Sequence, residues 1–203
     1  MGMKVTEEYG EGAPTIAVTT GNGRNEFRIL RALAEKHDGE RKTLWFPLGP
    51  FNKPGRGLKA LDIVKIYPGK YRLTSFLFLV DREYLQRGIE GIKDFLKGTG
   101  VNISFFQQIG DGASLISGGV GLHEISIYAV VLGKMKNLEE EIATLIERKL
   151  EEKVRPEKSE IRKVLHKHKT NKEKIIEEAS NEDLTLAFPN LTLILERMKE
   201  GCH

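Results

Sequence analysis

One cysteine is present in 203 residues, and Cys202 stands next to the C-terminus. No intramolecular disulfide can form, and a thiolate on a terminal segment is badly placed to act as a nucleophile or metal ligand. The chain also lacks any apolar run approaching the roughly 18 to 20 uncharged residues of a membrane span. The segment from Met1 to Pro14 is polar and rich in Gly and Glu, without the apolar centre of a signal peptide. These absences set the expectation of a cytoplasmic protein that does not engage a membrane. Glutamine is scarce (Gln86, Gln107 and Gln108) while Lys, Arg and Glu abound, a bias like that of proteins from heat-loving organisms. There is no internal repeat, no P-loop, no G-x-S-x-G elbow and no H-E-x-x-H pair.

What remains describes a folded domain: 39% hydrophobic and 30% charged residues. The net charge of +3 conceals two basic segments. Between Arg41 and Arg72 eight basic residues face one acid, Asp62, and between Arg162 and Lys174 six face Glu173 alone. Concentrations of this kind point to a polyanion such as DNA or RNA, contacted by Lys53, Arg56, Lys59, Arg162, Lys163, Lys167 and Lys169. The alternative is a set of solvated faces balanced in space by acids such as Glu139 to Glu141.

The pattern of elements reads β-α-β-α-β-α-β-β and then helices. Thr15 to Thr20 is a short β-branched strand, and the helix after it carries Phe27, Leu30, Leu33 and Ala34 on one face, with Asn25 as its cap. Thr43 to Leu48 is a second strand. Leu58 to Ile66 is a short helix stopped by Pro68-Gly69. Leu73 to Val80 is an unbroken apolar run, as in a strand buried on both faces of a parallel sheet. A helix over Tyr84 to Lys97 follows, then strands over Asn102 to Ile109 and Ile125 to Leu132. The glycine-dense stretch Asp111 to Gly121 reads as a flexible hairpin connection, or as a substrate loop using Ser114 or Ser117. From Leu138 onward only helical stripes occur, with Pro189 as a break or a first helical turn. The expected architecture is α/β: a mostly parallel central sheet with flanking helices and a charged α-helical C-terminal extension. Its divisions are a flexible N-terminus (1–13), an α/β domain (14–133) and a helical extension (134–203) packed on the sheet or projecting from it.

Open α/β sheets place their chemistry at the C-terminal ends of their strands. The apolar run ends there in Asp81-Arg82-Glu83, two carboxylates able to share a Mg²⁺ ion, which prefers oxygen ligands. The alternative makes Asp81 the cap of the helix beginning near Tyr84. The turn Gly21-Asn22-Gly23, between a strand and a helix, can present backbone N–H groups to a phosphate, or can be no more than a tight connection. His166 and His168, two residues apart, diverge on a helix and read as basic surface rather than a metal pair.

With these residues placed, the order of elements resembles a divergent Toprim domain, the metal-binding α/β module of topoisomerases, primases and the overcoming-lysogenization-defect nucleases. In that family the first strand ends in a Glu-Gly turn before a helix, and a later apolar strand ends in Asp-x-Asp. Val18-Thr19-Thr20-Gly21 is similar to the first motif, and Phe76 to Glu83 to the second, with Glu83 in place of the second Asp. The resemblance implies a Toprim- or Rossmann-like topology and Mg²⁺-dependent phosphodiester chemistry at Asp81 and Glu83; Glu26, one helical turn beyond the first motif, is a candidate third ligand that the resemblance itself does not place there. The family glutamate falls at Thr19 or Thr20, so the resemblance also admits binding through a remodelled metal site. Two alternatives stand beside it. One is an accessory subunit whose helical tail docks a protein partner or a second copy; the other is a nucleotide-binding enzyme using the Gly21-Asn22-Gly23 turn.

Overall fold

The computed structural model describes residues 3–8, 15–21, 24–37, 42–47 and 55–200. Its centre is a seven-stranded sheet. In chain order the strands are β1 (Lys4–Thr6), β2 (Thr15–Thr20), β3 (Thr43–Trp45), β4 (Ser75–Asp81), β5 (Asn102–Gln108), β6 (Ala113–Val120) and β7 (His123–Leu132). They lie in the order β1-β3-β2-β4-β7-β6-β5. The first five in that row are parallel, and β6 and β5 continue it antiparallel.

The apolar run reads correctly from sequence. Every residue of β4 from Phe76 to Asp81 is buried, because helices cover both faces. Val18, Leu77, Leu79 and Val130 face one core, shared with α1 (Arg24–Lys36), α4 (Leu138–Leu150), α5 (Lys158–Lys167), α6 (Lys172–Glu177), α7 (Asn181–Ala187) and α8 (Pro189–Glu200). Phe76, Phe78 and Val80 face the other, shared with a 3-10 segment (Gly57–Asp62), α2 (Ile63–Tyr71) and α3 (Gly88–Gly98). The C-terminal helices therefore complete one face of the sheet. Asn190 locks α8 there: its Oδ1 accepts the Gly112 N–H at 3.0 Å and its Nδ2 donates to the Val131 carbonyl at 3.1 Å.

Several expectations are corrected. The N-terminal segment, expected to be flexible, supplies β1, with Met3 buried behind it. α2 runs through Pro68 because tertiary packing holds both flanks. Tyr67 and Tyr71 pack on Trp45 with ring centroids 5.6 and 5.1 Å away. The helix expected from Tyr84 is a 3-10 turn (Arg82–Tyr84), and α3 begins only at Gly88, whose φ of 55° breaks a right-handed helix.

The stretch from Asp111 to Gly121 is largely strand β6, hydrogen-bonded on both sides, rather than a flexible connection. Gly118 serves close packing there: a Cβ on it would lie 2.6 Å from the Asn102 carbonyl oxygen. Ser114 is fully buried in that strand, so it cannot be a loop contact for substrate. Among the described residues, no helix is long and apolar enough to cross a membrane.

Candidate functional site

After β2 the chain passes through α1 to β3 on one side, then crosses back over the opposite face to β4 on the other. The crevice between the C-terminal ends of β2 and β4 is thus the switch point at which such sheets bind ligands. The Gly21 N–H donates to the Leu79 carbonyl at 3.0 Å, and the Gly21 carbonyl accepts the Gly57 N–H at 3.2 Å. A Cβ on Gly21 would come within 2.8 Å of Gly57 Cα, so the glycine here permits a close backbone crossing. Asn22 and Gly23, the rest of the expected phosphate turn, lie outside the described residues.

Asp81 ends β4 and is 7% exposed. Its Oδ1 accepts the N–H of Leu138, the first residue of α4, at 3.1 Å. It therefore caps a helix, but one 57 residues away rather than the one that follows it. Burial pushes its pKa from the ordinary 3.8 up to about 7; the Leu138 hydrogen bond opposes this, and the carboxylates of Glu26, Glu139 and Glu83 add to it. Glu26, in the first turn of α1, and Glu139, in that of α4, are 6% and 5% exposed. Glu141 is deeper still, and burial raises its pKa to about 8 against a hydrogen bond from Gly133. Glu83 lies on the 3-10 turn, with one oxygen 3.9 Å from Lys136 Nζ.

The loop before α4 is stitched to β4 around these acids. The Glu83 N–H donates to the Lys136 carbonyl at 2.9 Å, and Arg82 Nε to that of Gly133 at 3.0 Å. Glu140 accepts the N–H groups of Met135 and Lys136. Glu139 and Glu141, expected only as solvated counter-charges, are instead buried parts of the junction. Their sequence signal, three glutamates in a first helical turn, reads as ordinary dipole stabilisation.

The fit to a divalent ion can be judged from these positions. Oxygen donors of the right kind are present. Yet among the described residues no three His, Cys, Asp or Glu side chains come together to hold a metal ion. Asp81 is committed to Leu138 and Glu83 stands near Lys136, so the residues do not form a ready-made Mg²⁺ cage. Thr19, at one of the two positions of the family glutamate, turns to the other face and donates to the Ala60 carbonyl at 2.8 Å.

The basic residues separate into two groups. Lys53 lies outside the described residues, while Arg56 and Lys59 are exposed beside the 3-10 segment on the α2 and α3 side. The others sit on or just beyond α5. Lys163 is neutralised by Glu160 at 2.7 Å and Lys167 by Glu152 at 2.8 Å. Arg162 instead faces a cavity of about 350 Å³ between α1, α5 and α6. Its charged lining is Arg28, Lys158, Arg162 and Lys172 with the single carboxylate Glu173, and His166 adds an imidazole.

This cavity adjoins the carboxylates. Lys158 Nζ is 3.6 Å from Glu139 Oε1. Burial lowers the Lys172 pKa, helped by Lys158 and opposed by Glu139, Glu173 and Glu26. Lys158, Arg162 and His166 recur every four residues on one face of α5, a spacing visible in sequence. Arg28 comes from a helix 130 positions earlier, and nothing local announces its part.

The chain matches no known protein family, curated protein or solved structure.

Proposed function

We propose that the protein binds a phosphate-rich polyanion, nucleic acid foremost, where the C-terminal edge of the parallel sheet meets α1, α5 and α6. The observation that carries this reading is convergence: four cations from three helices line one cavity against one carboxylate. Cations held close together repel one another, and an anionic ligand relieves that repulsion. Within the cavity, Arg28 stands 3.7 Å from Glu173 and Lys158 leans on Glu139, while Arg162 and Lys172 have no ion pair among the described residues. The Toprim resemblance adds the expectation of a phosphate-handling site at this same sheet edge. The buried carboxylates, as they stand, fasten α4 to β4, so the reading is one of binding without an assembled metal centre.

The test is fluorescence anisotropy with labelled single-stranded and duplex oligonucleotides across a salt series. Affinity should fall steeply as salt rises from about 50 to 200 mM, through counterion release. Replacing Arg28, Arg162 and Lys172 together by Ala should weaken binding and flatten the logarithmic salt slope by about 2 to 3. Replacing the neutralised Lys163 and Lys167 should do much less. Absence of binding at low salt, or a slope untouched by the triple replacement, would overturn the reading. A melting temperature raised by Mg²⁺ in the native protein but not in Asp81→Asn, Glu83→Gln would restore the metal-centred alternative.

A further inference from the structure

We infer that the cavity between α1, α5 and α6 takes one phosphate monoester joined to a nucleoside, either a free mononucleotide or the phosphate-bearing end of a strand. The inference rests on the polyanion reading and narrows it. A continuous nucleic-acid backbone calls for an open row of cations, each meeting a diester with one negative charge. This site is a half-open concavity of about 350 Å³ in which cations from three helices converge. Its volume falls near the lower end of the roughly 300–1,000 Å³ of small-ligand pockets. With Arg28 paired to Glu173 and Lys158 to Glu139, Arg162 and Lys172 are the two cations left to meet a dianion, and a terminal phosphate monoester carries about −1.5 to −2 at neutral pH.

The lining supports that chemistry group by group. Arg162 offers a planar fork of donors that matches phosphate oxygens, and among the described residues it spends none of them on a protein partner. Lys172 is half-buried and held below its usual pKa by burial, so a phosphate beside it would favour its charged form. Thr170, also in the lining, has a buried hydroxyl oxygen without a hydrogen-bond partner among the described residues. Ile29 and Leu165, 1% and 5% exposed, form an apolar floor. The guanidinium groups and the His166 imidazole are planar surfaces on which a base can stack. Lys163 and Lys167 make the contrast with Arg162: on the same helix but outside the cavity, both are neutralised by neighbouring glutamates.

Three probes test this by anisotropy and calorimetry: a short single strand with a terminal phosphate, the same strand without it, and AMP. The phosphorylated strand should bind about tenfold more tightly, the size of one added charge-assisted hydrogen bond. Arg162→Ala with Lys172→Ala should weaken both strands and bring their affinities together. Competition by AMP assigns the pocket to a mononucleotide; a phosphate preference that AMP does not disturb assigns it to strand ends. Equal binding of the two strands, without binding of AMP, overturns the inference and leaves the polyanion reading standing. Binding of AMP alone supports the pocket and removes nucleic acid as its ligand. Failure of all three to bind removes both.

Discussion

Replacing Asp81 by Asn separates the two things this carboxyl does, since Asn keeps the oxygen that accepts the Leu138 N–H and discards the charge. The native group has its pKa raised from 3.8 to about 7, so the folded state holds its proton more tightly than the unfolded chain does. The sign follows: the contribution of Asp81 to stability is greatest below pH 4, falls as pH rises, and levels off above about pH 7. At pH 8 ionising the carboxyl in the folded state costs up to about 4 kcal/mol more than ionising it in the unfolded chain. Asp81→Asn should therefore be near native stability at pH 4 and more stable than native at pH 8, by up to that amount. Asp81→Ala discards the cap as well, and should fall about 1 kcal/mol below the Asn variant at every pH. Urea denaturation of the three proteins, followed by circular dichroism from pH 4 to 9, gives the difference curves directly. An Asn variant no more stable than native at pH 8 would refute the buried-charge argument. Ala and Asn variants of equal stability would refute the cap.

Glu141→Gln should stabilise the protein at pH 9, where the native carboxyl with its pKa of about 8 is ionised, and have little effect at pH 5. The Glu141 and Asp81 carboxyls act on each other, so the double variant should be less stable than the sum of the two single effects implies, as thermal melts would show. Gly118→Ala should lower the melting temperature, because its Cβ would press on the Asn102 carbonyl across the β5–β6 pair. The cost should be about 1–3 kcal/mol. Gly119→Ala, whose nearest neighbour would be 4.0 Å away, should be tolerated much better, and comparison of the two melts isolates the steric term.

The sequence alone carried the architecture wherever burial imposes a pattern. β4 is legible because a strand covered on both faces has no solvent side on which to place polar residues, so its apolar run is continuous. The C-terminal helices are legible from their apolar stripes, and Pro189 sits at the first position of α8, where its missing N–H costs nothing. Asp81 stood out because the run ends at it.

Tertiary structure decided the rest. Only the strand order shows that Asp81 caps α4, for hydrogen bonds between residues 57 positions apart leave no local spacing to read. β6 is a strand because β5 and β7 supply partners on both sides, which overrides the turn preference of its glycines. The same holds for the basic residues. Composition counts Lys167 and Arg162 alike, yet the fold neutralises one with Glu152 and turns the other into a cavity beside Arg28. Charge is set by residue type; whether that charge is left free for a ligand depends on which neighbours the chain brings within a few ångströms of it.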